Sequence, residues 1–157
     1  MGIWPVAKSR GIGPKVKNYL PEFYAAKAWL QWISVRGQRL FVRPIESGDA
    51  EAIRAFLDAN GSPGNTPACG LLAKLVGDLV GVMAMEVADE GLRVENVVVA
   101  RELRRKRIGR FLFDEAARLA AKMDRDRLVV TGAGDAGEFL RRVGFTLEDG
   151  VFVRRVR

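Results

Sequence analysis

A chain of 157 residues, 48% of them apolar, is the size of one ordinary domain and can bury a core without cross-links. Its single cysteine, Cys69, excludes an internal disulfide and leads to the expectation of a reduced, cytoplasmic setting. The net charge of +7 invites a nucleic-acid reading, but residues 1–38 hold six basic residues against Glu22 alone, so most of the excess sits in the N-terminal stretch.

That stretch, residues 1–38, is expected to be an arm distinct from a domain over residues 39–157. It contains all three tryptophans (Trp4, Trp29, Trp32) and both tyrosines (Tyr19, Tyr24). Pro5, Pro14 and Pro21 interrupt it, which excludes the continuous apolar core of a signal peptide. The run YAAKAWLQWI is too short for a membrane span and carries Lys27, so no membrane partner is expected. After Pro21, the spacing of Tyr24, Ala28 and Trp32 predicts a helix whose aromatic face packs on the domain or on a second subunit. Basic residues interleaved with aromatics also suit single-stranded nucleic acid, the lesser reading of the arm.

From Arg39 the punctuation predicts strand and helix in turn. RLFVRPI alternates as a strand and stops at Pro44. Ser47 offers an N-cap for DAEAIRAFLDAN, whose apolar stripe (Ala50, Ile53, Phe56, Leu57) ends at Asn60-Gly61. GSPGNTPACG reads as a loop, substrate-facing rather than core. GLLAKLV, DLVGVMAMEV and LRVENVVVA follow as an antiparallel meander, the first two joined across Gly77-Asp78. A helix runs from about Ile108 to Met123 with Leu112, Ala116, Leu119, Ala120 and Met123 on its buried face. RLVVT is a buried strand, GEFLRRV a short helix, and a hairpin turning at Asp149-Gly150 closes the chain.

Between the third meander strand and the long helix lies RELRRKRIGR. It puts Arg101, Arg104, Arg105, Lys106, Arg107 and Arg110 at a helix N-terminus, where partial positive charge and unpaired N–H groups call for an anion. A phosphate group would satisfy both the amides and the cations.

The run NVVVARELRRKRIGRFLFDEAARLA resembles the strand-loop-helix motif of the GNAT superfamily of N-acetyltransferases, whose loop reads Arg/Gln-x-x-Gly-x-Gly/Ala. Arg104 and Gly109 match it, and Arg107 stands where the motif has its first glycine. GDLVGVMAM is similar to the strand that leads into the motif, and GEFLRRVGF resembles the family's Phe-Tyr-x-x-x-Gly-Phe helix-turn. The resemblance spans about residues 39–157. It implies an α/β (α+β) domain with a mixed, mostly antiparallel sheet flanked by helices and splayed central strands. It implies acetyl-CoA as acyl donor, a small-molecule or protein amine as acceptor, no metal, and a homodimer. Val97, Val98 and Val99 would then line the pantetheine arm by their main chain. Arg104, Arg105, Lys106, Arg107, Ile108, Gly109 and Arg110 would hold the pyrophosphate, with transfer through a tetrahedral oxyanion.

Two residues set the chemistry apart. The family's general-acid tyrosine aligns with Leu140, so an acid tyrosine could come only from the arm or a partner subunit. With no histidine in the chain, the base must be a carboxylate, and Glu95, in phase with Val97 and Val99, is the first choice, with Glu86 second. The loss of that tyrosine keeps open a regulatory acyl-CoA-binding protein as the alternative. GAGDAG (residues 132–137) fits a dinucleotide fingerprint by its letters, but too little chain follows for that fold, and it reads as a bend beside the cofactor. Cys69 has no histidine to activate it and reads as a loop or core residue.

Overall fold

The computed structural model describes residues 32–35, 37–104 and 107–156. Eight strands, β1 (Trp32–Val35), β2 (Gln38–Pro44), β3 (Gly70–Leu75), β4 (Asp78–Ala88), β5 (Gly91–Val99), β6 (Arg127–Val130), β7 (Thr146–Glu148) and β8 (Val151–Arg155), form one sheet in the order β1-β2-β3-β4-β5-β6-β8-β7. Three α-helices accompany it: α1 (Ala50–Ala59), α2 (Ile108–Lys122) and α3 (Gly137–Arg142). Every neighbouring pair is antiparallel except β5 with β6. The mixed, mostly antiparallel sheet expected from the sequence is therefore what forms, and the element order from residue 39 onward agrees.

Three local expectations are corrected. Trp32, expected on a helix face, opens β1 and pairs with Phe41 across an antiparallel register that runs to Val35 and Gln38. A strand here satisfies backbone groups along the outer side of β2, which a helix could not. The sheet thus begins within the stretch assigned to the arm, while Tyr24, Ala28 and the rest of the expected helix lie outside the described residues.

Ser47 does not cap α1. Residues Ser47–Asp49 form a 3-10 turn that leads into the helix, with Glu46 as its N-cap. Asp49 fixes the entry: its carboxylate accepts from the Glu46 N–H at 2.7 Å and from both Nη atoms of Arg43, on β2, at 2.9 and 2.8 Å. A bidentate guanidinium outcompetes a hydroxyl as an anchor. The Arg43 hydrogen bonds hold the Asp49 carboxyl below its ordinary range.

The turn between β3 and β4 is Val76-Gly77 rather than Gly77-Asp78, with φ of 52° and 85°, and Asp78 already belongs to β4. Its left-handed pair matches the twist of the flanking strands. Asp149-Gly150 does the same for β7 and β8, as the sequence suggests.

The core lies between the sheet and α2. Helix α2 buries Ile108, Phe111, Leu112, Phe113, Glu115, Ala116, Leu119 and Ala120, a wider face than the expected stripe, while Met123 is only half-buried at its C-cap. Gly81 permits the close approach, since a Cβ there would lie 3.3 Å from Leu112 Cδ1. Burying each of the large side chains contributes about 1.5–3 kcal/mol of transfer free energy. Adjacent strand residues point to opposite faces, so Val82, Ala84 and Val98 face away from α2, toward α1. Among the described residues, no helix is long and apolar enough to cross a membrane.

Candidate active site

The sheet opens where its one parallel pair ends. Strand β5 is in register with β6 only from Leu92 opposite Leu128 to Val94 opposite Val130. Beyond that point β5 continues to Val99, whereas the chain after β6 turns away through Thr131 and Gly132, the latter at φ 61°. The last five residues of β5 thus have no partner strand on that side, the splay expected of the central strands.

A bulge marks the apex of the opening. Against β4, Val94 pairs with Met85 and Asn96 with Ala84, so Glu95 is an extra residue in β5. The bulge corrects the phase argument for Glu95: Val97 and Val94 lie on one face, because the alternation resets across Glu95.

Two cavities meet at this bulge from opposite faces of the sheet. On the α2 side, a cavity of about 260 Å³ is lined by Val94, Val97, Phe113, Thr131, Phe139 and Leu140, among others. On the α1 side, a cavity of about 370 Å³ is lined by Leu57, Asn65, Pro67, Val82, Ala84 and Val98. Glu95 and Asn96 line both. The loop after α1 reaches the second cavity through Asn65 and Pro67, as its composition suggested, but Pro67 and Cys69 are buried, so its end belongs to the core.

The open edge of β5 leads to the start of α2. Residues Arg101–Leu103 form a 3-10 turn, Arg104 is extended, and Arg107 takes a left-handed conformation (φ 68°, ψ 11°) as the N-cap of α2. That conformation favours glycine and costs other residues about 1–2 kcal/mol. The first turn of α2 holds no acidic residue, and the N-cap makes no side-chain bond. No Asp or Ser caps these amides, and Arg104, Arg107 and Arg110 around the helix start are exposed. Arg104 Nε donates to the Val99 carbonyl at 3.1 Å, spending one of five guanidinium donors and closing the end of β5. Arg105 and Lys106 lie outside the described residues. Gly109 lets α3 approach, since a Cβ there would lie 3.3 Å from the Phe139 ring.

The sequence-chosen residues divide between two settings. Glu95, Val97 and Val98 line the two cavities, Gly109 packs against Phe139 in the wall of one, and Ile108 is buried near Gly81. Glu86 lies elsewhere: its Oε1 is 2.6 Å from Arg93 Nη1, and Arg93 also holds Glu90 at 2.8 Å. Those contacts raise the Arg93 pKa, first through its hydrogen bond to Glu90. Glu86 lines neither cavity. Leu140 is buried in the wall of the α2-side cavity, and both tyrosines lie outside the described residues. GAGDAG supplies part of that same wall through Gly132, Ala133 and Ala136.

Asn96, Asn65 and Thr131 were not singled out from the sequence. Asn96 had a signal: Glu95-Asn96 places two polar residues in succession inside LRVENVVV, a break in strand alternation that marks a bulge. Asn65 and Thr131 sit in loops without periodicity and carried none.

A family model described as an acetyltransferase (GNAT) domain matches residues 67–147. Among solved structures, the chain is similar to the ribosomal-protein-S18-alanine N-acetyltransferase from Escherichia coli, with TM-score 0.64 and 13% identity over 74% of this chain and 94% of that one. It is similar to a PaiA N-acetyltransferase from Thermoplasma acidophilum in complex with coenzyme A, with TM-score 0.60 and 14% identity over 74% and 98% of the two chains. It is also similar to a GNAT family N-acetyltransferase (YhbS) from Escherichia coli in complex with CoA, with TM-score 0.60 and 20% identity over 76% and 83%. At these identities the likeness is one of fold. No curated protein sequence matches the chain.

Proposed function

The chain belongs to the GNAT acetyltransferase family, and from that premise we propose that it transfers an acetyl group from acetyl-CoA to a primary amine. The observation that carries the reading is the bulge at Glu95, where Glu95 and Asn96 line a cavity on each face of the sheet, which sets opposite faces for a donor and an acceptor around one point.

The residues present fit the donor. An acid-free helix start bracketed by Arg104, Arg107 and Arg110 suits a diphosphate, which satisfies amides and guanidiniums together. Beyond Val94, β5 has no partner strand on the β6 side and offers main-chain groups as far as Val98 to an extended chain bearing amides, much as a sheet edge accepts a strand. Phe113, Phe139 and Leu140 give its far end an apolar, water-poor wall. When bound, acetyl-CoA would supply a thioester, whose acyl carbon is activated because forming the amide C–N bond breaks its C–S bond and releases the anion of a thiol, a group of intrinsic pKa about 8.5.

Glu95 stands at the meeting point as the one carboxylate lining both cavities among the described residues. It takes the proton of an arriving ammonium, directly or through water. Asn96 beside it offers an amide that orients polar atoms without charge. Glu86, held by Arg93, serves the sheet rather than the reaction in this reading.

One observation favours a second reading. Leu140, which the resemblance sets at the family's tyrosine position, is buried in the cavity wall and has no proton to donate, and a protein that binds acetyl-CoA with weakened turnover is the second reading. Thiol release from acetyl-CoA, followed with a panel of primary amines, separates the two. Release that requires an amine is the expected result, and intact acetyl-CoA binding without release under any amine would contradict transfer.

A further inference from the structure

The α2-side cavity has two unlike ends. Glu95, Asn96 and Thr131 in its lining are exposed, whereas Val94, Phe113, Val130 and Leu140 in the same lining are buried. Val94 and Val130 are the last pair in the parallel register of β5 with β6, so together they close the opening at its apex. Phe113 from α2 and Leu140 from α3 add to that apolar end.

Aromatic contacts fix this end in place. The Phe113 ring lies 6.0 Å from that of Phe139 and meets Phe145 edge-on at 5.4 Å. Phe139 lines the cavity too and is seated against Gly109 in the first turn of α2. Walls already ordered in this way take up an apolar group with little further loss of side-chain freedom.

We propose that the donor site is built for an aliphatic acyl group longer than acetyl, with Leu140 as a residue that sets this preference. The inference rests on the acyl-CoA reading above and names the class of acyl group. In that reading the reacting carbon lies beside Glu95 and Asn96. A chain attached to it runs either toward the exposed polar residues or into the buried apolar end, and only the second course removes its methylenes from water. Acetyl presents a single methyl to these walls, whereas each added methylene buries further apolar surface. Leu140 matters because a polar atom at this buried position would be stripped of water by the entering chain. The bonds exchanged are the same for either acyl group. The neutral amine nitrogen bonds to the acyl carbon, the C–S bond breaks with its electron pair on sulfur, and an amine proton ends on the thiol. The proton that Glu95 took from the ammonium passes to solvent.

Calorimetric titration of the full chain with CoA, acetyl-CoA, propionyl-CoA and butyryl-CoA tests the inference independently of the amine. Affinity should rise about fourfold per added methylene, hence about 15-fold from acetyl- to butyryl-CoA. Leu140→Asn, similar in size but polar, should cut that ratio to about fourfold or less. Leu140→Ala widens the same end and should move the best-bound chain to hexanoyl-CoA, and it takes the place of the Asn variant should that one not fold.

Affinity that stays flat or falls from acetyl- to butyryl-CoA in the wild type would overturn the inference, as would a folded Leu140→Asn protein that keeps the full ratio. Failure of the wild type to bind CoA in any form would be distinct, since it removes the acyl-CoA reading together with the inference drawn from it.

Discussion

The antiparallel block from β2 to β5 and the junction of β5 with β6 and α2 are parts of one sheet, yet they obey opposite rules. In the block, neighbouring strands pair antiparallel along most of their length, the β3–β4 hairpin turns on the left-handed pair Val76-Gly77, and most of β3 and the middle of β4 are buried. At the junction, pairing stops after three residues, an extra residue interrupts β5, and a left-handed arginine begins a helix that has no acidic first turn. Local departures of this kind persist only where the surrounding structure holds them, and they collect where ligands bind. The block is built to be stable, and the junction is built around something else.

Substitutions in the two regions should therefore divide cleanly. The largest effect is expected for Glu95→Gln at the bulge. As the base, its loss should lower kcat by about 10²–10⁴-fold and leave the melting temperature and acetyl-CoA affinity nearly unchanged. Steady-state kinetics with thermal unfolding would check this, and a variant with full kcat would return Glu95 to an ordinary strand residue. Leu112→Ala should do the reverse. Leu112 is fully buried against Gly81, so truncation should cost about 2–5 kcal/mol in denaturant unfolding while the residual folded fraction still binds the donor.

That division also explains what could be read in advance. The block was legible because Leu71, Leu72, Val82, Met83, Leu92 and Val94 follow strand patterns and the β3–β4 turn carries Gly77. Helix α1 was legible from Ile53, Phe56 and Leu57, but its true anchor, Asp49, was hidden because Arg43 lies on another element. The phosphate-loop candidates were legible because their charge contradicts a helix start. The bulge was legible only as the break in alternation at Glu95-Asn96: a period-two reading still assigns Glu95 to the face of Val97 and Val99, and the register with β4 shows where the alternation resets. Trp32 fitted a helical spacing with Tyr24 and Ala28, yet pairing with Phe41 decides its state.

Smaller effects sharpen the same contrast. Asp49→Asn should destabilise the fold by about 1–2 kcal/mol at neutral pH through the lost Arg43 contact. Because the folded Asp49 pKa lies below its ordinary value of 3.8, this contribution is fully present above the ordinary carboxylate range. It is lost as pH falls through the lowered folded value, so wild type and variant should converge in unfolding experiments on acidification. Smallest of all, relief of left-handed strain should separate the regions by function. Val76→Asn at the exposed β3–β4 turn should stabilise by up to about 1 kcal/mol with donor binding unchanged, whereas Arg107→Gly should stabilise similarly yet weaken acetyl-CoA binding about tenfold. Equal acetyl-CoA affinity in both variants would remove the distinction.

The most direct measurement is a calorimetric titration of the folded full chain with acetyl-CoA, repeated on an Arg104→Glu, Arg107→Glu double variant. Micromolar binding by the wild type, weakened at least about 100-fold by reversing two charges at the start of α2, is the expected result. Unchanged affinity in the folded double variant, or no binding by the wild type, would contradict the assignment of this junction as the donor site.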